Sequence, residues 1–116
     1  MIYNKFGECA IRAYELMKRK NLGEKAWDVA AKEILGDGTT ASKKGCPKNA
    51  FLGLFGYRSN KNAGYAKRAV ILLNEISEND IEEMRPNKFW KKVMNMEISH
   101  NSQVDVVFAL RSKGYI

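Results

Sequence analysis

Apolar residues recur at intervals of three and four along almost the whole chain, the spacing of one helical face. Phe6, Cys9, Ala10, Ala13, Leu16 and Met17 mark a first helix, and Gly23 breaks the pattern. Trp27, Ala30, Ala31 and Ile34 mark a second, ended by Gly36-Asp37-Gly38. Residues 39–45 read as a loop. Pro47 suits the first position of a third helix, where an N–H would lack a partner anyway. That helix buries Ala50, Phe51, Leu54 and Phe55 and ends at Gly56. A fourth turns Ala66, Ala69, Val70, Leu73 and Ile76 inward. Asn79-Asp80 is placed to cap a short turn through Met84, and Pro86 stops it. Asn87 is placed to cap a helix that buries Phe89, Trp90, Val93 and Met94. Ser102 and Asp105 have the spacing of a capping box for a last helix. That helix carries Val104, Val107, Phe108 and Arg111 toward one side and closes at Gly114. No segment alternates apolar and polar residues, so no strand is expected. The expected fold is all-α: one compact domain over residues 1–116, a bundle of about six helices.

The two halves of the pattern resemble each other. Asn4, Lys5, Ala10, Arg12, Ala13 and Leu16 match Asn60, Lys61, Ala66, Arg68, Ala69 and Leu72 at one offset. Trp27 then pairs with Trp90, Ser42 with Ser99, Phe51 with Phe108, and Gly56-Tyr57 with Gly114-Tyr115. The order is helix, tryptophan helix, polar loop, and a helix ending in Gly-Tyr. This reads as a tandem of two three-helix units, 4–57 and 60–115, packed on each other. The competing explanation is that Ala- and Leu-rich bundles look self-similar without duplication.

Charge is distributed more sharply than the apolar pattern. The chain carries a formal net charge of +7, yet no acidic residue lies between Asp37 and Glu75. The cations in that interval are Lys43, Lys44, Lys48, Arg58, Lys61, Lys67 and Arg68, while the flanks are close to neutral. A cationic zone between neutral flanks points to an anionic partner, DNA, RNA or an acidic protein. Lys43, Lys44 and Lys48 surround the expected start of the Pro47 helix, and helix N-termini attract phosphate. Asn49 is exposed if Ala50, Phe51 and Leu54 are buried, and asparagine can read adenine edges. Arg58, Lys61 and Lys67 extend the surface. The plainer explanation is a solvated cationic face, with Arg68 held in a buried pair like its counterpart Arg12. If helices 75–97 fold over the cations, Glu75, Glu78, Glu82 or Glu83 would neutralise them.

Little else suggests chemistry. Cys46, just before Pro47 and close to three lysines, has the setting of a reactive thiol, though a partly buried structural cysteine fits as well. The only histidine is His100, in the other half's loop, where a Cys–His pair is not expected. Cys9, Cys46 and His100 lack zinc spacing, so no metal and no cofactor is expected. Gly36-Asp37-Gly38-Thr39-Thr40 lacks the Gly-Lys-Thr ending of a phosphate loop and follows a helix. Both tryptophans fall on apolar stripes, which favours core packing over base stacking. Two cysteines, no apolar run long enough to span a membrane and no leader-like start suggest a cytoplasmic protein. Nothing fixes an oligomeric state.

The stretch Gly45-Cys46-Pro47-Lys48-Asn49-Ala50-Phe51-Leu52-Gly53-Leu54 resembles the signature of a family of small bacterial proteins of no known activity. Val104-Asp105-Val106-Val107-Phe108-Ala109-Leu110 resembles that family too. Ser99 to Ile116 more loosely resembles the end of a helix-turn-helix unit, with the last helix as recognition helix. The expected function is a small, non-catalytic nucleic-acid-binding or regulatory accessory protein. The alternatives are a protein-interaction module, an adaptor or inhibitor of an acidic partner, and, more remotely, an enzyme using Cys46.

Overall fold

Eight consecutive residues, Gln103 to Leu110, are buried in the computed structural model, which describes all residues 1–116. They belong to the last helix, and the other helices are arranged around it. The structure is all-α, without strands. Helix α1 spans Lys5–Arg19, α2 Ala26–Ala31, α3 Gly45–Leu54, α4 Lys61–Asn74, α5 Glu78–Glu82, α6 Pro86–Lys88 and α7 Gln103–Ser112. Both tryptophan helices loosen into a π turn, α2 through Lys32–Gly36 and α6 through Phe89–Val93. Helix α7 packs on α1, α3, α4 and α6, while α1 also packs on α2 and α4 on α3.

Complete burial explains why α7 shows no one-sided stripe. A helix apolar all round belongs in a core, and the two polar residues of its buried stretch are held. Gln103 Nε2 donates to Asn62 Oδ1 at 3.0 Å, and Asp105 Oδ1 accepts the Asn4 backbone N–H at 3.0 Å. A helix enclosed this way cannot lie in a nucleic-acid groove, so the expected recognition helix is instead the central core element. The expected capping box is also replaced. Ser102 adopts a left-handed conformation (φ +65°), and its Oγ accepts from Asn4 Nδ2 at 3.1 Å. Ser102 and Asp105 therefore tie the start of α1 to the start of α7.

The core has two lobes. Trp27 packs with Cys9, Ala13, Leu16 and Phe51 in one; Trp90 packs with Ala66, Leu73, Phe89 and Phe108 in the other. Helices α3 and α7 contribute to both, and Leu54 and Ile116 touch both. Small residues let the helices approach closely. A Cβ on Gly53 would lie 2.5 Å from Ala63 Cα, and one on Gly7 would lie 2.9 Å from Ala109 Cβ.

Helix ends recur between the halves. Asn4 Oδ1 accepts from Phe6 N at the start of α1, and Asn60 Oδ1 from Ala63 N at the start of α4. At the far ends, Tyr57 N donates to Leu52 O and Tyr115 N to Leu110 O, with Gly56 and Gly114 at φ +83° and +72°. Those bonds set Leu52 opposite Leu110 and hence Phe51 opposite Ala109. The match of Phe51 with Phe108 is one residue out of register. Other ends differ from expectation. Helix α3 begins at Gly45, so Pro47 sits inside its first turn, where amides still lack intrahelical partners. Ser77, not Asn79, precedes α5, and α6 begins at Pro86.

Candidate nucleic-acid interface

The cations around the start of α3 are partly spent. Lys48 Nζ lies 2.9 Å from Asp28 Oδ1, and Arg58 Nη1 lies 2.8 Å from Glu24 Oε2. Both acids come from the segment entering and forming α2, which folding brings beside α3. The interval without acids in sequence is therefore neutralised at two of its seven cations in space. Glu75, Glu78, Glu82 and Glu83 take part in none of the three ion pairs, so the expected cover from residues 75–97 is not what supplies the acids. Lys43 and Lys44 are exposed, and Lys44 Nζ sits 5.7 Å from the centre of the Phe6 ring. Lys43 and Lys48 share a cleft of about 400 Å³ with Lys32, Ser42, Asp28 and Asp37. Phosphate approaching the start of α3 would meet both aspartates. Asn49, expected to be exposed, is half-buried.

Helix α4 keeps its cations free. Asn60 caps it, while Ala63, Ala66, Ala69 and Leu73 turn into the core. That burial leaves Lys61, Gly64, Lys67, Arg68 and Ile71 exposed at helical spacing. No acid appears on that helix, and the first to follow is Glu75 at its C-cap. Arg68, which the plainer explanation put in a buried pair, is exposed, and its Nη1 lies 3.7 Å from Met96 Sδ. Its counterpart Arg12 is paired with Glu33 at 2.8 Å, but on the surface. The shared hydrogen bond raises the Arg12 pKa and lowers that of Glu33. Ile71 is 60% exposed, the most exposed large apolar residue of the chain. Of this face the sequence reading chose Lys61 and Lys67. Counting three and seven residues from Lys61 reaches Gly64 and Arg68, and that spacing was the available signal.

His100 is engaged structurally. Its Nε2 accepts the Val104 backbone N–H at 3.0 Å, which places the ring proton on Nδ1, 2.9 Å from Asn87 Oδ1. The ring packs 5.2 Å from Trp90 and caps α7, so Asn87 serves the histidine rather than its own helix. Burial lowers its pKa from 6.5 to about 4. Burial also raises the Asp105 pKa, against the hydrogen bonds from Asn4 and Ser102. With both nitrogens occupied, His100 has none left to activate a thiol. Cys46 is half-buried, and no cleft includes it in its lining. Cys9 is buried, and its thiol pKa is pushed up to about 12, chiefly by desolvation. No three His, Cys, Asp or Glu side chains gather to hold a metal ion, and no helix is long and apolar enough to cross a membrane.

The chain belongs to a family of unknown function (DUF6979), whose family model matches residues 3–116. No curated protein and no solved structure matches it.

Proposed function

We propose that this chain is a small non-catalytic nucleic-acid-binding protein that contacts phosphates through the outer face of α4. The observation that carries this reading is the run Lys61, Lys67 and Arg68, exposed and in no ion pair, on a capped helix that contains no acidic residue. Three cations on one helix face act together on a polyanion without specifying sequence. Lys43 and Lys44 add cations at the start of α3, while Lys48 and Arg58 are already tied to Asp28 and Glu24.

One observation favours a second reading, docking of an acidic protein. Ile71 stands exposed among the same cations, and an apolar residue there adds nothing to phosphate binding. A mixed-sequence duplex of about 20 base pairs, titrated by fluorescence anisotropy at low salt, separates the two. Replacing Lys61, Lys67 and Arg68 together by Gln should weaken binding to every duplex sequence alike. Ile71→Ala should leave duplex binding unchanged. Duplex binding that survives the triple substitution would overturn the assignment to α4. Absence of any duplex binding at low salt would leave the protein-docking reading.

A further inference from the structure

The two Gly-Tyr helix ends have the same backbone bonds and opposite side-chain fates. Tyr115 is stacked on Tyr14, with ring centres 4.0 Å apart and planes 14° apart. Tyr57 has no ring stacked on it and is 40% exposed. It lines a cleft of about 300 Å³ with Met17, Lys18, Asn21 and Phe55. Phe55 is anchored from behind by Phe51 and Tyr14, at 4.9 and 5.6 Å between centres. The floor is thus Phe55 and the Met17 thioether, both packed on the core, with the exposed Tyr57 ring beside them.

One cation lines the cleft and two more follow it in the chain. Helix α1 ends in Lys18, Arg19 and Lys20, all exposed and none in an ion pair. Lys18 belongs to the cleft itself, and Asn21 offers an amide to a polar edge. Of the two acids nearest in sequence, Glu24 is bound to Arg58, and Glu15, one turn back on α1, forms no ion pair with the three cations. Lys18 Nζ lies 5.7 Å from the centre of the Tyr14 ring. An exposed ring beside an apolar floor, with Lys18 in the lining and Arg19 and Lys20 following it in the chain, matches a planar group attached to phosphate.

We propose that this cleft takes an unpaired base of single-stranded nucleic acid, stacked on Tyr57 with the flanking phosphates on Lys18, Arg19 and Lys20. Every base has a π-face, so such a site selects unpaired bases over duplex without reading sequence. The site shares no residue with the phosphate-binding face proposed on α4.

The test compares an oligothymidylate of about 12 nucleotides with an abasic deoxyribose-phosphate chain of the same length, at low salt. Wild-type protein should bind the thymidylate about tenfold or more tightly than the abasic chain. Tyr57→Ala should abolish that preference, and Tyr57→Phe should retain it. Replacing Lys18, Arg19 and Lys20 by Gln should weaken both oligomers together. The helix-ending bond uses the Tyr57 backbone, which alanine keeps, and far-ultraviolet circular dichroism checks the fold. Equal binding of the two oligomers by wild type overturns the proposal without involving any variant. So does a preference that survives Tyr57→Ala, or no binding of either oligomer. Duplex binding is read separately: Tyr57→Ala should not change it, whereas failure of the α4 reading would appear there and leave the base preference intact.

Discussion

Two glycines on neighbouring helices should respond to alanine with opposite signs. Gly53 in α3 faces Ala63 of α4, and an added Cβ would lie 2.5 Å from Ala63 Cα, a backbone atom that cannot swing aside. Gly64, one residue along α4, has nothing within 4 Å of the equivalent position. Alanine in a helix interior gains about 0.5–1 kcal/mol over glycine. Gly64→Ala should collect that gain. Gly53→Ala gains it too but must force α3 and α4 apart, an overpacking cost of about 3 kcal/mol, for a net loss near 2 kcal/mol. For a chain of 116 residues, 1 kcal/mol corresponds to about 4 °C in Tm. Thermal unfolding followed by circular dichroism should therefore show Gly64→Ala about 2–4 °C above wild type and Gly53→Ala about 8 °C below. A Gly53→Ala protein as stable as Gly64→Ala would refute the close α3–α4 packing, and with it the placement of α4's outer face.

The capping role of His100 gives stability an acid dependence. Its folded pKa is lowered from 6.5 to about 4, so below pH 6.5 the unfolded chain takes up a proton that the folded one refuses. Stability is then unaffected by this group above pH 6.5 and falls as pH drops toward 4. Partial exposure holds the loss to about 1–2 kcal/mol. Urea unfolding at pH 7 and 4.5 should show a smaller drop in His100→Gln than in wild type, and equal drops would contradict the cap. Asp105, raised by burial, works with the opposite sign and is common to both proteins. Iodoacetamide at neutral pH should modify half-buried Cys46 and spare Cys9, whose thiol is buried and pushed up to about 12; prior labelling of Cys9 in folded protein would refute its placement. The proposed duplication predicts that an experimental structure superposes 4–57 on 60–115 with Trp27 over Trp90 and Leu52 over Leu110. Different crossing senses in the two halves would end it.

How much was legible in the sequence depended on whether a signal was local. Helical spacing located α1, α3 and α4 because each has a buried side and a wet side. It misread α7, because Gln103 and Asp105 look like surface residues until Asn62 and Asn4 are found beside them. The cationic interval was equally visible, but its pairing was not. Asp28 and Glu24 reach Lys48 and Arg58 only through packing of α2 against α3, about 20 and 34 residues away along the chain. The competing explanation, a buried pair for Arg68 like that of Arg12, fails because neither is buried. Tyr57 was legible as part of an apolar patch with Leu52 and Phe55, but Leu52 is buried and Phe55 half-buried, and the absence of a ring stacked on Tyr57 emerges only by comparison with Tyr115 on Tyr14.

The most direct measurement is the salt dependence of duplex affinity for wild type and for the protein with Lys61, Lys67 and Arg68 replaced by Gln. If each cation neutralises one phosphate, the slope of log affinity against log salt should flatten by about 0.9 per lost contact, close to 2.7 in all. An unchanged slope, or no salt-sensitive binding in the wild type, would contradict a phosphate-binding face on α4.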